Sequence, residues 1–321
     1  MLHDQIARTD FWPLPDHDGQ SSAARRAGIE IEFAGLGVSE AAALIAGLWG
    51  GEISTQDRRA CRVAGGRLGD VQVELDISLH KAWIEDLAAQ ALGELVPVEI
   101  VTAPLHQDQL HELTSLTDAL QATGGMGTQA RLGFGFGVHL NPELPEGAEN
   151  LVAIIRAYGL LEAWLRGSAP LDTARRVLPF VDPWPVALVD ALADQADWEI
   201  ADLAQLYAML APARGYGLDL LPAFEQLCPQ ALEAVPAAQL KGGRPTFHYR
   251  LAESRLGDPD WSLAYEWNRW VLVERVAADR ALLAQLAQDW QAHRDRLLAR
   301  KPDWIGFCEA MLAENAGLVA R

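Results

Sequence analysis

Glu30 and Glu32 lie two residues apart in Gly28-Ile29-Glu30-Ile31-Glu32-Phe33. Strict alternation of apolar and acidic residues is the period of a β-strand, so Ile29, Ile31 and Phe33 share one face and both glutamates the other. At a rise of about 3.3 Å per residue the two carboxylates sit roughly 7 Å apart, and they repel unless something positive lies over them. Taken alone, this is a half-exposed strand with solvated glutamates. Four later stretches repeat the design. Val71, Val73, Leu75 and Ile77 alternate with Gln72, Glu74, Asp76 and Ser78. In Pro97 to Thr102, Glu99 is the only charge and opposes Val98 and Ile100. Val138-His139-Leu140-Asn141 sets His139 and Asn141 on one side. Thr246 to Leu251 sets His248 and Arg250 opposite Phe247, Tyr249 and Leu251.

With the apolar faces of all five strands packed on helices, the opposite face collects Glu30, Glu32, Glu74, Asp76, Glu99, His139, His248 and Arg250. Unit charges near a protein surface repel by about 4 kcal/mol at 4 Å, so five carboxylates on one face need neutralising. Divalent cations answer that need. Mg²⁺ and Mn²⁺ take hard oxygen ligands, imidazole suits Mn²⁺, and both ions keep waters that substrate phosphates replace. Carboxylates at i, i+2 on a strand can each hold a different ion of a cluster that clamps phosphoryl oxygens. Read singly, each residue is a solvent-facing strand position; the joint pattern, spread over about 220 residues from Glu30 to Arg250, points to one site.

The elements that must position these residues follow from the same periodicities. The opening, through Asp10-Phe11-Trp12-Pro13-Leu14-Pro15-Asp16, is turn-rich, and residues 1–27 read as an extended segment over the surface. Ser39 to Trp49 begins at a capping serine and continues as an alanine-rich helix up to Gly50-Gly51. Arg58 to Val63 and Asp70 to Ser78 flank a glycine-rich turn as a hairpin. A short helix precedes Pro97, and His106 to Thr123 carries Leu110, Leu113, Leu116 and Leu120 at helical spacing. The glycine-dense stretch Gly124 to Gly137 contains Arg131. A helical insert spans about 149–240, with helices at Leu151 to Arg166, Val186 to Ala196, Ile200 to Leu210 and Leu218 to Ala234. Lys241-Gly242-Gly243-Arg244-Pro245 is a flexible basic loop. Trp261 to Arg300 forms one helix or two, and Trp304 to Asn315 another. This order predicts an α+β fold, a curved antiparallel β-sheet backed by helices, as a single domain over 28–321.

The net charge of -18, from 44 acidic and 26 basic residues, argues against nucleic-acid or anionic-membrane binding, which need basic patches. Bound cations still admit an anionic substrate. Cys61, Cys228 and Cys308 are scattered and show no CxxC spacing, as expected in a reduced compartment. No apolar run approaches about 18 residues and residues 1–20 lack a signal-peptide pattern, so a cytoplasmic location is expected. Gly133 to Gly137 precedes a strand instead of following one and is no dinucleotide fingerprint; there is no P-loop motif. Trp164, Trp198, Trp267, Trp270 and Trp290 fall in helical patterns as core residues.

The ordered stretches Gly28 to Phe33, Glu74-Leu75-Asp76-Ile77-Ser78-Leu79, Glu99-Ile100-Val101-Thr102-Ala103-Pro104-Leu105, Gly137-Val138-His139-Leu140-Asn141 and Phe247-His248-Tyr249-Arg250-Leu251 resemble the motifs of the amidoligases. That family belongs to the carboxylate–amine ligase superfamily with glutamine synthetase and glutamate–cysteine ligase. The resemblance runs from about residue 28 to about 275 and is weakest in the helical insert. It implies a glutamine-synthetase-like sheet shaped as a funnel, with ATP entering at one end, the substrates at the other, and Mg²⁺ or Mn²⁺ ions on the sheet. By this resemblance Glu30, Glu32, Asp76 and Glu99 are metal ligands, with Glu74 on the same face, and His139 is the metal-binding histidine. Arg250 contacts a phosphate, and turnover depends on Arg250 and Glu32. Arg131, Lys241 and Arg244 are expected to contact ATP or substrate. Two positions depart from the pattern. Asn141 stands where a second histidine or polar group is common, and is placed with the substrate-binding residues. His248 stands where a metal-binding glutamate is usual; its neutrality weakens Mg²⁺ and favours Mn²⁺. The implied activity joins a small-molecule or peptide carboxylate to an amine through an acyl phosphate. Metal-dependent phosphoryl transfer or hydrolysis, or non-catalytic nucleotide binding, would draw on the same residues.

Overall fold

The computed structural model describes residues 6–76, 97–128, 135–169, 181–296 and 300–318. Strand β1 (Arg26–Phe33) is the middle of the sheet, with Ile29, Ile31 and Phe33 buried as its alternation predicts. Antiparallel to it run β5 (Val98–Thr102) on one side and β7 (Val138–Pro142) on the other. Beyond β5 lie β4 (Gly69–Leu75), β3 (Ala60–Gly66) and β2 (Glu52–Thr55). Beyond β7 lie β9 (His248–Tyr249) and β8 (Leu218–Asp219), while β6 (Leu105–His106) pairs with the start of β1. The nine strands among the described residues form one open, curved, antiparallel sheet, and the fold is α+β.

Helix α1 (Val38–Trp49) packs against β3 and β4, and α2 (Leu113–Ala122) follows a 3₁₀ turn. The insert carries α3 (Ala148–Ser168), α4 (Val186–Asp194), α5 (Ile200–Leu210) and α6 (Leu221–Leu227). After β9 come α7 (Leu263–Ala278), α8 (Arg280–Arg294) and α9 (Lys301–Glu314). No helix among the described residues is long and apolar enough to cross a membrane.

The sheet rests on α7. Ser262 caps this helix by accepting the Tyr265 amide at 3.1 Å. Nearly every residue of α7 is buried, including Glu266, Asn268, Arg269 and Glu274, which is tolerable because each has partners. Glu274 accepts from Arg25 at 2.6 and 2.9 Å and from the Trp270 indole at 2.8 Å. Asn268 accepts the Trp12 amide at 2.8 Å, and the Trp267 indole donates to the Trp12 carbonyl at 2.8 Å. Trp12 and Leu14 are buried, so the segment before β1 is irregular but docked into the core. The rings of Phe247 and Tyr249 stand 5.1 and 5.3 Å from Trp270, which seats the last strands on the same helix.

Several elements depart from the sequence expectation. Leu218 opens no helix. Leu218–Asp219 is β8, and the Asp219 carboxylate accepts the Leu221 amide at 3.0 Å, so α6 starts only after it. Pro229 then opens a separate 3₁₀ turn. The helix expected from His106 is 3₁₀ up to Glu112. The strand expected over Thr246 to Leu251 contracts to two residues, flanked by single bridges at Thr246 and Glu253. Strand β2 is exposed throughout and has no apolar alternation to reveal it. Trp261 to Arg300 divides at Asp279, whose side chain accepts the Leu282 amide at 3.0 Å and caps α8. The short helix expected before Pro97 lies outside the described residues, as do Ile77, Ser78 and Arg131.

The chain enters β7 through a backbone clasp: Thr128 N–H donates to the Ser254 carbonyl at 2.9 Å, and Ser254 N–H to the Phe136 carbonyl at 3.0 Å. A Cβ on Gly127 would stand 2.5 Å from the Ser254 oxygen, whereas one on Gly306, inside α9, meets nothing within 4 Å. Gly127→Ala is therefore expected to lower unfolding free energy by about 1–3 kcal/mol. Gly306→Ala is expected to raise it by about 0.5–1 kcal/mol. Urea unfolding of the two variants checks this; shifts of the same sign contradict it.

Candidate active site

Strand register assembles the site in rows. Glu32↔Glu99 and Glu74↔Glu99 align three glutamates across β1, β5 and β4. Glu30 pairs with His139. The Leu140↔Tyr249 pair sets Arg250 beside His139 and His248 beside Asn141, and Asp219 pairs with His248. Alternation places all of these side chains on the side of the sheet away from α7. Water scarcely reaches the middle of this face: the side chains of His139, Glu32, Glu30 and Glu99 are 8, 10, 13 and 16% exposed. Asp76 is buried and Glu74 half-buried.

His139 is the hub. Its Nδ1 bonds Glu30 Oε2 and lies 3.9 Å from Glu99 Oε1, while Nε2 is 3.6 Å from Glu32 Oε1. Other donors aim the two β1 carboxylates. Asn141 Nδ2 donates to Glu30 Oε1 at 2.9 Å, and Gly137 N–H donates to Glu32 Oε2 at 2.5 Å. Burial, followed by the charges of Glu30, Glu32 and Asp76, pushes Glu99 up to about 10, so its carboxyl holds a proton at neutral pH. Burial also works to raise Glu30, but the charge and hydrogen bond of His139 prevail and hold it below the usual carboxylate range. Burial lowers His248 to about 4 against the opposing pull of Asp219, leaving the imidazole neutral.

Two sets of three donors lie within 4.8 Å of one another: Glu30, His139 and His248, and Glu32, Glu99 and His139. Hard carboxylate oxygens beside imidazole nitrogens suit a small divalent cation, Mn²⁺ more than Mg²⁺. The excess of negative groups over imidazoles, relieved only in part by the proton on Glu99, makes the donor set a fit for such an ion.

Glu30, Glu32, Glu99, His139 and His248 thus meet, with Asp76 acting on Glu99 through its charge and Glu74 next to Glu99 in register. Asn141 is engaged in orienting Glu30. Arg250 is on the same face, its Nη1 donating to the Arg214 carbonyl. Lys241 and Arg244 are exposed on a loop tied to α6 by Gly242 N–H to Glu225 at 3.1 Å and Arg244 N–H to the Pro222 carbonyl at 2.9 Å. Neither side chain has an ion pair or hydrogen bond to the acidic group among the described residues. A cleft of about 200 Å³ lined by His17, Ser22, Arg25 and Glu143 lies at the far end of β1 and holds none of these carboxylates. Two residues escaped the sequence reading. Asp219, wholly buried, has Oδ2 3.1 Å from His248 Nδ1 and 2.9 Å from Arg214 Nε. A lone acid within the apolar run Leu218 to Leu221 was the only signal for Asp219, and Arg214 had none.

The chain matches the family model described as "Putative amidoligase enzyme" over residues 23–272, a span that takes in the entire sheet. That match and the curved α+β sheet define an enzyme of ligase type. The chain belongs to the amidoligase family. Comparison with curated proteins returns no match.

An acid whose pKa is raised by folding keeps a proton that the unfolded chain has released, so stability falls as pH climbs from 4.5 toward about 10. In EDTA, Glu99→Gln is expected to be more stable than wild type. The gain should widen between about pH 6 and about pH 8, by at most about 1.4 kcal/mol per pH unit. Chemical denaturation across that range measures it, and a pH-independent difference contradicts the assignment.

Proposed function

We propose that the protein is an ATP-dependent carboxylate–amine ligase that forms an amide or peptide-like bond through an acyl phosphate. The observation that carries this reading is the meeting of Glu30, Glu32, Glu99 and His139 on one buried face of the sheet in a chain of the amidoligase family. A carboxylate cannot expel hydroxide readily. The substrate carboxylate therefore takes the γ-phosphoryl group of ATP, releasing ADP, and the amine then displaces phosphate.

Glu30, Glu32, Glu99, His139 and His248, with Asp76 and Glu74 beside them, are the residues that would hold Mg²⁺ or Mn²⁺. The bound cation would supply positive charge against the triphosphate. The guanidinium of Arg250, tethered to the Arg214 carbonyl, is suited to spreading the charge that develops on the transferred phosphoryl group. Asn141 and the Gly137 amide hold Glu30 and Glu32 in place, so little reorganisation accompanies the reaction. The low exposure of this face favours keeping water from an acyl phosphate. The substrates are a small-molecule or peptide carboxylate and an amine.

With ATP, Mn²⁺ and a panel of amino acids as carboxylates, added hydroxylamine is expected to accumulate as hydroxamate. ADP and phosphate without hydroxamate would instead favour hydrolysis. Glu30→Gln and Glu32→Gln are each expected to lower kcat by about 10²–10³-fold, the scale of losing one electrostatic stabiliser. Circular dichroism should be unchanged. Full turnover by both folded variants contradicts the reading.

A further inference from the structure

Asp219 is fully buried at the two-residue end strand β8, and its carboxylate has three donors. Oδ1 accepts the Leu221 amide at 3.0 Å; Oδ2 faces Arg214 Nε at 2.9 Å and His248 Nδ1 at 3.1 Å. An ionised carboxylate only accepts, so the proton between Asp219 and His248 belongs to Nδ1. Arg214 Nη2 also approaches Nδ1, at 3.4 Å. A guanidinium only donates, and an Nδ1 that is already donating cannot accept, so the productive bond of Arg214 is the one to Asp219. The Leu221 amide and the Arg214 guanidinium can only donate, and they face the two carboxylate oxygens, as the ionised form requires.

A neutral imidazole with its proton on Nδ1 carries its lone pair on Nε2. The His248 ring meets the His139 ring edge-on, with centroids 5.3 Å apart, and the donors of His248, His139 and Glu30 lie within 4.8 Å of one another. We infer that Asp219, held by Arg214, is a positioning residue that fixes the tautomer of His248 so that Nε2 completes a two-imidazole, one-carboxylate cation site with Glu30 and His139. The inference rests on the ligase reading and deepens it: this site favours a transition-metal ion such as Mn²⁺, whereas the Glu32–Glu99 side is richer in hard oxygen. A carboxylate behind the imidazole also raises its strength as a ligand.

The test uses the full chain. In metal-free wild type labelled with ¹⁵N-histidine, and with the His248 signals assigned by comparison with His248→Gln, His248 is expected to show the Nδ1–H tautomer. The Nε2–H tautomer overturns the inference whether or not any variant folds. In folded Asp219→Asn, calorimetry is expected to show Mn²⁺ binding weakened by about 10–100-fold, together with loss of the single tautomer. Unchanged Mn²⁺ affinity in Asp219→Asn, with wild type binding normally, overturns the positioning role alone. Wild type that takes up no Mn²⁺ at all overturns the ligase reading and the cation site together.

Discussion

Acidic side chains crowd a single imidazole on a face that water barely reaches, and the rest of the molecule can be understood from how that crowding is tolerated. Charges of like sign at such distances repel by several kcal/mol in any medium less polar than water. Three devices relieve them in the chain itself. His139 sits between Glu30, Glu32 and Glu99. Glu99 keeps its proton. Asn141 and the Gly137 amide each take one carboxylate oxygen. In the proposed function, this residual negative charge is what draws cations to the face and, through them, phosphoryl groups.

Such a face needs a stiff support, and α7 provides it. The helix is buried on all sides, yet it is not simply apolar: Glu274 is matched by Arg25 and Trp270, and Asn268 by the backbone around Trp12. Removing one member of a buried ion pair typically costs about 3–5 kcal/mol, so the Arg25–Glu274 pair ties the start of β1 firmly to the helix. Phe247 and Tyr249 bring β9 onto the same helix. The strands that carry Glu30 and His248 therefore share one foundation, although about 220 residues separate them in sequence.

Period-two alternation made most of the face legible. Glu30, Glu32, Glu99, His139 and His248 each sit between apolar neighbours that declare a strand, and antiparallel pairing gathered them as that pattern implied. Legibility ended where an element was too short to show a period. Leu218–Asp219 looked like the first turn of a helix, so Asp219 went unseen, and Arg214 comes from a loop with no pattern of its own. Lys241 and Arg244 show a different limit. Basic composition next to glycine suggested a phosphate contact, yet composition carries no position, and the loop is tethered to α6. Asn141 was placed correctly on the face, but its hydrogen bond to Glu30 depends on side-chain geometry that alternation does not encode.

In the proposed function these carboxylates and imidazoles bind divalent cations together. Anomalous diffraction from crystals grown with Mn²⁺ and a non-hydrolysable ATP analogue tests it most directly. Manganese peaks are expected among Glu30, His139 and His248 and among Glu32, Glu99 and His139. Manganese found only on the outer surface, with the acidic face empty and His139 still bonded to Glu30, would contradict it.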